Sequence, residues 1–201
     1  MKSKTIIILI ISILFISGFV LLKSDNILDQ IIIKLVTSDN EFIYTLFYYL
    51  TFLGSRTILI PFVLIGSVYL YYLYQKIRPS LIFMSGTLIS YLLNELIKTI
   101  VQRDRPSLLE AVHAVGYSFP SGHAMISTVC YGLFTYYLLK KIKTDNIRKI
   151  ILFITISLIL LIGFSRVMLN VHYFTDVLGG FLIGGLFIII YLKVSNLLFI
   201  K

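Results

Sequence analysis

Cysteine is all but missing from this 201-residue chain, and charge is scarce. The single Cys130 lies inside an apolar run, which excludes an internal disulfide and any CxxC metal or redox motif. Its setting marks it as a small packing residue. Charged residues make up 13% of the chain and hydrophobic ones 58%, with a mean hydropathy of +0.96. Soluble domains carry about a quarter charged residues, so this composition excludes a soluble fold and leaves a membrane protein. Carboxylates are the scarcest charge, 9 Asp and Glu against 18 Lys and Arg. Internal repeats and low-complexity segments are absent, and the length suits one domain over 1–201.

Six long apolar runs are present: 5–22, 57–75, 79–97, 122–139, 150–165 and 177–192. Each is long enough, or nearly so, to cross about 30 Å of hydrocarbon, and the shortest hold about 16 clearly apolar residues. Flanking Lys and Tyr can snorkel to complete the shorter ones. The run at 5–22 follows MKSK but is longer than a usual signal-peptide core, and no A-x-A site follows, so it reads as a retained span. The expected fold is all-α, a six-transmembrane-helix bundle with both termini cytoplasmic. In that orientation eleven of the 18 basic residues face inward (Lys2, Lys4, Lys76, Arg78, Lys140, Lys141, Lys143, Arg148, Lys149, Lys193 and Lys201), leaving seven outside, as the positive-inside rule requires. The basic excess is thus an orientation signal and gives no support for nucleic-acid binding, which needs a basic face on a reading element.

Segment 23–56 is the long connection. Ile27, Leu28, Ile31, Ile32, Leu35 and Val36 recur at helical spacing, as do Phe42, Leu46, Leu50 and Leu53, with SDN at 38–40 offering caps between them. This predicts two short interfacial helices on the outer side, packed as a connector, with a substrate-gating lid as the alternative.

Two further outer connections carry polar residues that a bilayer surface does not require. The first reads KTIVQRDRP, then thirteen residues, then PSGH; the second reads SRVMLNVHYFTD. Ionisable groups this close to hydrocarbon are costly and mark sites or pathways. Lys98 and Arg105 are seven residues apart, two helical turns or about 10 Å on one face, with Pro106 ending the helix near Arg105. His172 and Asp176 are four apart, close enough for the carboxylate to accept Nδ1–H and leave Nε2 as nucleophile or base. At Pro120-Ser121-Gly122-His123 a turn enters the next span, whose N-terminal N–H groups favour an anion. Ser121 adds a hydroxyl and His123 a proton donor.

Singly, each piece has a plain reading. A lone interfacial His is usually a hydrogen-bonded structural residue, as His113 is read here, and interfacial Arg and Lys usually anchor to headgroups. Three blocks in order on one face are a different matter. Lys98-x6-Arg105-Pro106, Pro120-Ser121-Gly122-His123 and Ser165-Arg166-x5-His172-x3-Asp176 together resemble the tripartite signature of the type 2 phosphatidic acid phosphatase superfamily. No motif position departs from the pattern, and the compact chain is similar to the small bacterial members.

The resemblance implies a lipid phosphatase. It makes His172 the nucleophile that forms a phosphohistidine, Asp176 the residue that orients it, and His123 the general acid and base. Lys98, Arg105 and Arg166, with Ser121 and the Gly122 N–H, would hold the phosphoryl oxygens. Three cations and N–H dipoles can stabilise a phosphate of about −1.5 to −2 charge. Two His and one carboxylate beside three cations make a poor metal site, so neither metal nor other cofactor is expected. The substrate is a lipid phosphate at the outer face: phosphatidylglycerophosphate by resemblance, with undecaprenyl pyrophosphate as the alternative. A transporter would need polar groups deep in several spans or broken helices, whereas span interiors hold little beyond Ser, Thr, Asn94 and Tyr. A non-catalytic scaffold would not need the full set of phosphate-binding and acid–base groups. Gly180 and Gly184 form a GxxxG pattern read as close packing behind the site; whether it also joins two copies is left open.

Overall fold

Helical periodicity governs the whole of the computed structural model, which describes Gly18 and residues 27–36, 40–106 and 116–198. Among these residues there are seven α-helices and no strand: α1 Ile27–Val36, α2 Glu41–Phe52, α3 Arg56–Tyr74, α4 Ile77–Val101, α5 Gly122–Lys141, α6 Asp145–Met168 and α7 Phe174–Leu198. The apolar run at 5–22, apart from Gly18, and His113 lie outside the described residues.

Among the described residues, four helices are long and apolar enough to cross a membrane: α3, α4, α6 and Phe174–Leu197 of α7. Their outward faces are apolar, with Ile60, Leu64 and Ile65 exposed on α3 and Phe153, Ile154 and Ile156 on α6. The fourth expected span, 122–139, is a helix but is less apolar, because it is the central one. α5 packs against α3, α4, α6 and α7, so its side chains meet protein on most sides. Ser127 and Thr135 are buried, and Thr135 Oγ1 lies 2.8 Å from Thr155 Oγ1 on α6. Leu59, Leu70, Phe83, Val129, Leu133 and Ile162 form the largest apolar cluster around it.

The two short helices expected in 23–56 are present. The Asn40 side chain caps α2 by accepting the N–H groups of Phe42 at 2.9 Å and Ile43 at 3.3 Å. On α1, Ile32 and Val36 pack inward on Ala124, Val167 and Val177, while Ile27, Leu28, Ile31 and Leu35 are exposed. Cys130 is buried and unpaired as a disulfide, in keeping with a packing role. GxxxG serves packing: a Cβ at Gly180 would lie 2.8 Å from the Ser121 carbonyl oxygen, and one at Gly184 2.8 Å from that of Met125. α7 therefore lies against the backbone of α5.

One expectation fails. α4 ends at Val101 and does not run on towards Arg105. Gln102 adopts a left-handed conformation (φ 51°) and its N–H closes the helix on Lys98 O. Arg105 is therefore carried by the segment after the helix, and its nearness to Lys98 does not come from helical spacing.

Candidate active site

The turn from α6 into α7 builds the seat of His172. After Met168 the chain reverses through Asn170 (φ 52°), a residue type that tolerates this region. The N–H groups of Val171 and His172 both return to the Arg166 carbonyl, at 3.1 and 3.2 Å. α7 then opens with a capping arrangement in which the Asp176 carboxylate reaches back to the Tyr173 N–H at 2.9 Å. The same oxygen lies 3.4 Å from His172 Nδ1, a long contact of the kind that tightens when substrate binds. His172 is 2% exposed.

The other ring nitrogen, Nε2, lies 3.1 Å from Arg105 Nη1. With Nδ1 facing a carboxylate and Nε2 facing a guanidinium that can only donate, both neighbours select the same tautomer: Nδ1 protonated, Nε2 with its lone pair free. Burial, and then the positive charges of Arg105, Arg166 and Lys98, hold the imidazole well below the ordinary histidine value of 6.5. Near neutrality the neutral form of His172 is favoured.

Arg105 is fixed independently of helix α4. Its Nε donates to Gly116 O at 2.8 Å and its Nη1 to Val171 O at 2.7 Å. Segment 102–106 is tied to the PSGH entrance by Ser118, whose N–H reaches Arg103 O and whose Oγ donates to Asp104 O. Arg166, on the last turn of α6, is 3% exposed; its Nη1 donates to Thr51 Oγ1 at 2.7 Å, and its buried Nε has no hydrogen-bond partner among the described residues. Lys98 is 14% exposed and 4.0 Å from Glu95.

At the entrance to α5, Ser121 is the N-cap and is fully buried, with its Oγ accepting the Ala124 N–H at 3.5 Å. Asn94, counted from the sequence only as a scattered polar residue, holds this turn through Nδ2–H to Pro120 O at 3.3 Å. Its Oδ1 would lie 3.1 Å from a Cβ at position 122, so the residue there must be small for the turn to approach α4.

These groups converge on one cavity of about 1060 Å³. Lys98, Arg105, Gly122, His123, Arg166 and His172 line one part of it, and Leu59, Val63, Leu81, Met84 and Leu88 line the trough between α3 and α4. Ser121 and Asp176 stand behind this wall. The cavity joins a cationic end bearing two imidazoles to an apolar groove, which is the shape of an amphiphile with an anionic head. The sequence reading missed Thr51 on α2, Arg56 and Glu95 at the cavity wall, and Arg103, Asp29 and Thr175 behind His172. Their only sequence signal was a polar residue within or beside an apolar run.

Comparison with known proteins agrees with this geometry. The family model described as the PAP2 superfamily matches residues 79–199. Phosphatidylglycerophosphatase B of Bacillus subtilis is 35% identical over 136 residues, which cover 67% of this chain and 66% of that protein, just under two thirds of its length. Among solved structures, the transmembrane PAP2-type phosphatidylglycerolphosphate phosphatase of B. subtilis superposes with a TM-score of 0.86 at 27% identity, over 98% of this chain and 97% of that one. The LpxE structure of Aquifex aeolicus shares the fold at 24% identity, with a TM-score of 0.63 over 85% of this chain and 98% of that one.

Proposed function

The chain belongs to the PAP2 superfamily, and from that premise we propose that it is an integral-membrane lipid phosphatase that hydrolyses the phosphomonoester of phosphatidylglycerophosphate. The single observation that carries this reading is the cavity joining an apolar trough to three cations and two histidines. The names of the bacterial relatives support the choice of lipid.

In the first step the His172 Nε2 lone pair forms a bond to phosphorus while the bond to the glycerol oxygen breaks, and His123 gives that oxygen its proton. Asp176 holds the Nδ1 proton and offsets the positive charge that grows on the ring. Lys98, Arg105 and Arg166 stabilise the phosphoryl oxygens, with the N-terminus of α5 at Gly122 beside them. In the second step His123 takes a proton from water, the water oxygen bonds to phosphorus, and the P–N bond breaks to release phosphate and restore His172. The three cations supply the charge stabilisation that a divalent ion would otherwise bring. The site lies at the outer face in a six-span bundle that includes α5 and the run at 5–22, a reading supported by the Lys and Arg asymmetry.

The test is phosphate release by purified protein from phosphatidylglycerophosphate, phosphatidic acid, undecaprenyl pyrophosphate and a soluble aryl phosphate, before and after chelation. The first substrate should be hydrolysed fastest, and chelation should leave the rate unchanged. His172→Gln should abolish turnover on all four. His123→Asn should slow single-turnover phosphorylation by the lipid monoester about 10²–10⁴-fold, and far less by the aryl phosphate, whose leaving group needs no proton. Turnover by His172→Gln, or a requirement for a divalent ion, would refute the mechanism.

A further inference from the structure

Behind His172, outside the cavity, lies a buried charge cluster that joins three separate parts of the chain. Arg103 is 6% exposed, Asp29 of α1 1% and Asp176 of α7 0%. Arg103 Nη1 donates to Asp176 Oδ1 at 2.6 Å and its Nη2 to Asp29 Oδ2 at 2.8 Å. Asp29 also accepts the Thr175 N–H at 3.0 Å and the Thr175 hydroxyl at 2.6 Å, so a carboxylate of α1 caps the first turn of α7 from outside. Arg103 stacks over the Tyr173 ring at 4.1 Å. None of these groups lines the cavity, so none can bind substrate there.

We propose that Arg103 and Asp29 are positioning residues for the nucleophile, through which the short helix α1 fixes the orientation and charge of the Asp176–His172 pair. This rests on the reading of His172 as the attacking group. By occupying Oδ1 of Asp176, Arg103 turns Oδ2 towards His172 Nδ1 and the Tyr173 N–H. The charge balance is as specific as the geometry. Arg103 alone would neutralise Asp176 and remove its value to a ring that becomes cationic on phosphorylation. Asp29 shares the guanidinium, so one cation stands between two carboxylates and a net negative charge remains behind the imidazole. On its other sides His172 meets Arg105 of segment 102–106, Arg166 of α6, Lys98 of α4 and His123 of α5. The exposed apolar face of α1 keeps this pin at the membrane surface, while Asp29, Ile32 and Val36 hold it to the bundle.

The experiment uses the full chain in lipid nanodiscs, with Asp29→Asn, Arg103→Lys and Arg103→Gln. Its readouts are single-turnover phosphorylation from phosphatidylglycerophosphate, kcat and KM against pH, and the ring-nitrogen NMR titration of His172, one of only 3 histidines. Asp29→Asn removes a negative charge and should move the His172 titration down by about 0.5–1 pH unit; Arg103→Gln removes a positive one and should move it up by as much. Both should lower kcat, about 10-fold and about 10²-fold respectively, with KM within about twofold, because the lost interaction acts on the transition state. Arg103→Lys keeps the charge and should restore the titration. A role in packing alone cannot produce shifts of opposite sign. If Arg103→Gln does not fold, Asp29→Asn and Arg103→Lys decide the matter. An unchanged titration with wild-type kcat in Asp29→Asn would overturn the inference. The NMR readout needs no turnover, so failure of wild-type protein to hydrolyse any lipid phosphate would count against the proposed reaction alone.

Discussion

Gly180→Ala is the smallest change that tests how α7 positions the entrance of α5. Its added Cβ would stand 2.8 Å from the Ser121 carbonyl oxygen, 2.9 Å from Ala124 Cβ and 3.1 Å from the Met125 nitrogen. Ordinary contact begins at 3.4 Å, so the closest approach is short by 3.4 − 2.8, or about 0.6 Å. Two of the three atoms are backbone, and no rotamer change relieves them. α7 must draw back from the turn that carries Gly122 and His123. That turn is also tied to α7 above the clash, where the Ser121 N–H donates to Asp176 O at 3.0 Å. Overpacking of this kind costs about 1–3 kcal/mol, partly offset by about 1 kcal/mol of helix propensity gained over glycine. The geometric penalty should exceed the thermodynamic one. A 1 Å misplacement of catalytic groups can cost about 10²-fold, so a shift of about half that should lower kcat about 10-fold. Gly185→Ala, on the same helix, supplies the control, since its Cβ meets nothing within 4 Å. Phosphate release and thermal unfolding should be measured for both variants in one detergent. Gly180→Ala should lose activity and some stability, and Gly185→Ala neither. Equal behaviour of the two would refute the claim that this contact holds the His123 turn in register with His172.

The pH profile follows from the state of His172, whose burial and cationic neighbours favour loss of its proton. Under the proposed mechanism the neutral ring attacks, so kcat/KM should persist as pH falls through 6.5 and decline only below it; an acid limb attributable to His172 at or above 6.5 would contradict this. Orientation can be read by labelling intact cells with an impermeant thiol reagent, because the native Cys130 is buried and gives little background. Tyr117→Cys should be labelled and Lys143→Cys should not, and the reverse pattern would place the site on the inner side.

The residues legible in the sequence were those whose chemistry is written in short, fixed spacings. Lys98, Arg105, His123, Arg166, His172 and Asp176 stood out because ionisable groups beside hydrocarbon demand a reason, and the fold brings all of them to one region. Helical periodicity likewise located α1 and α2, and the two glycines of α7 announced a close approach. Where the sequence misled, it did so for local reasons. The left-handed Gln102 that ends α4 carries no strong signal, since glutamine is not a preferred residue for that conformation. The modest hydropathy of α5 weakened it as a span, although a helix enclosed by α3, α4, α6 and α7 needs little lipid-facing surface.

Arg103 shows why the remainder could not be read. Beside a span, an arginine is ordinarily taken for a headgroup anchor, and its neighbour Arg105 absorbed the attention of the motif. Its partners come from positions 29 and 176, 74 and 73 residues away in the sequence. Periodicity reports which face of a helix is apolar, and it carries no information about which distant carboxylate will meet a given cation. Yet the demand for such partners was present in principle. Taking a guanidinium from water into a protein interior is costly unless its charge and donors are met, so a buried Arg103 favours acids near it. Among the described residues, Asp29 and Asp176 are the buried carboxylates, and both lie there. One faces His172 and the other sits on a short helix, α1, that packs on both α6 and α7. Acids are scarce in this chain, yet two of them meet on one arginine, directly behind His172.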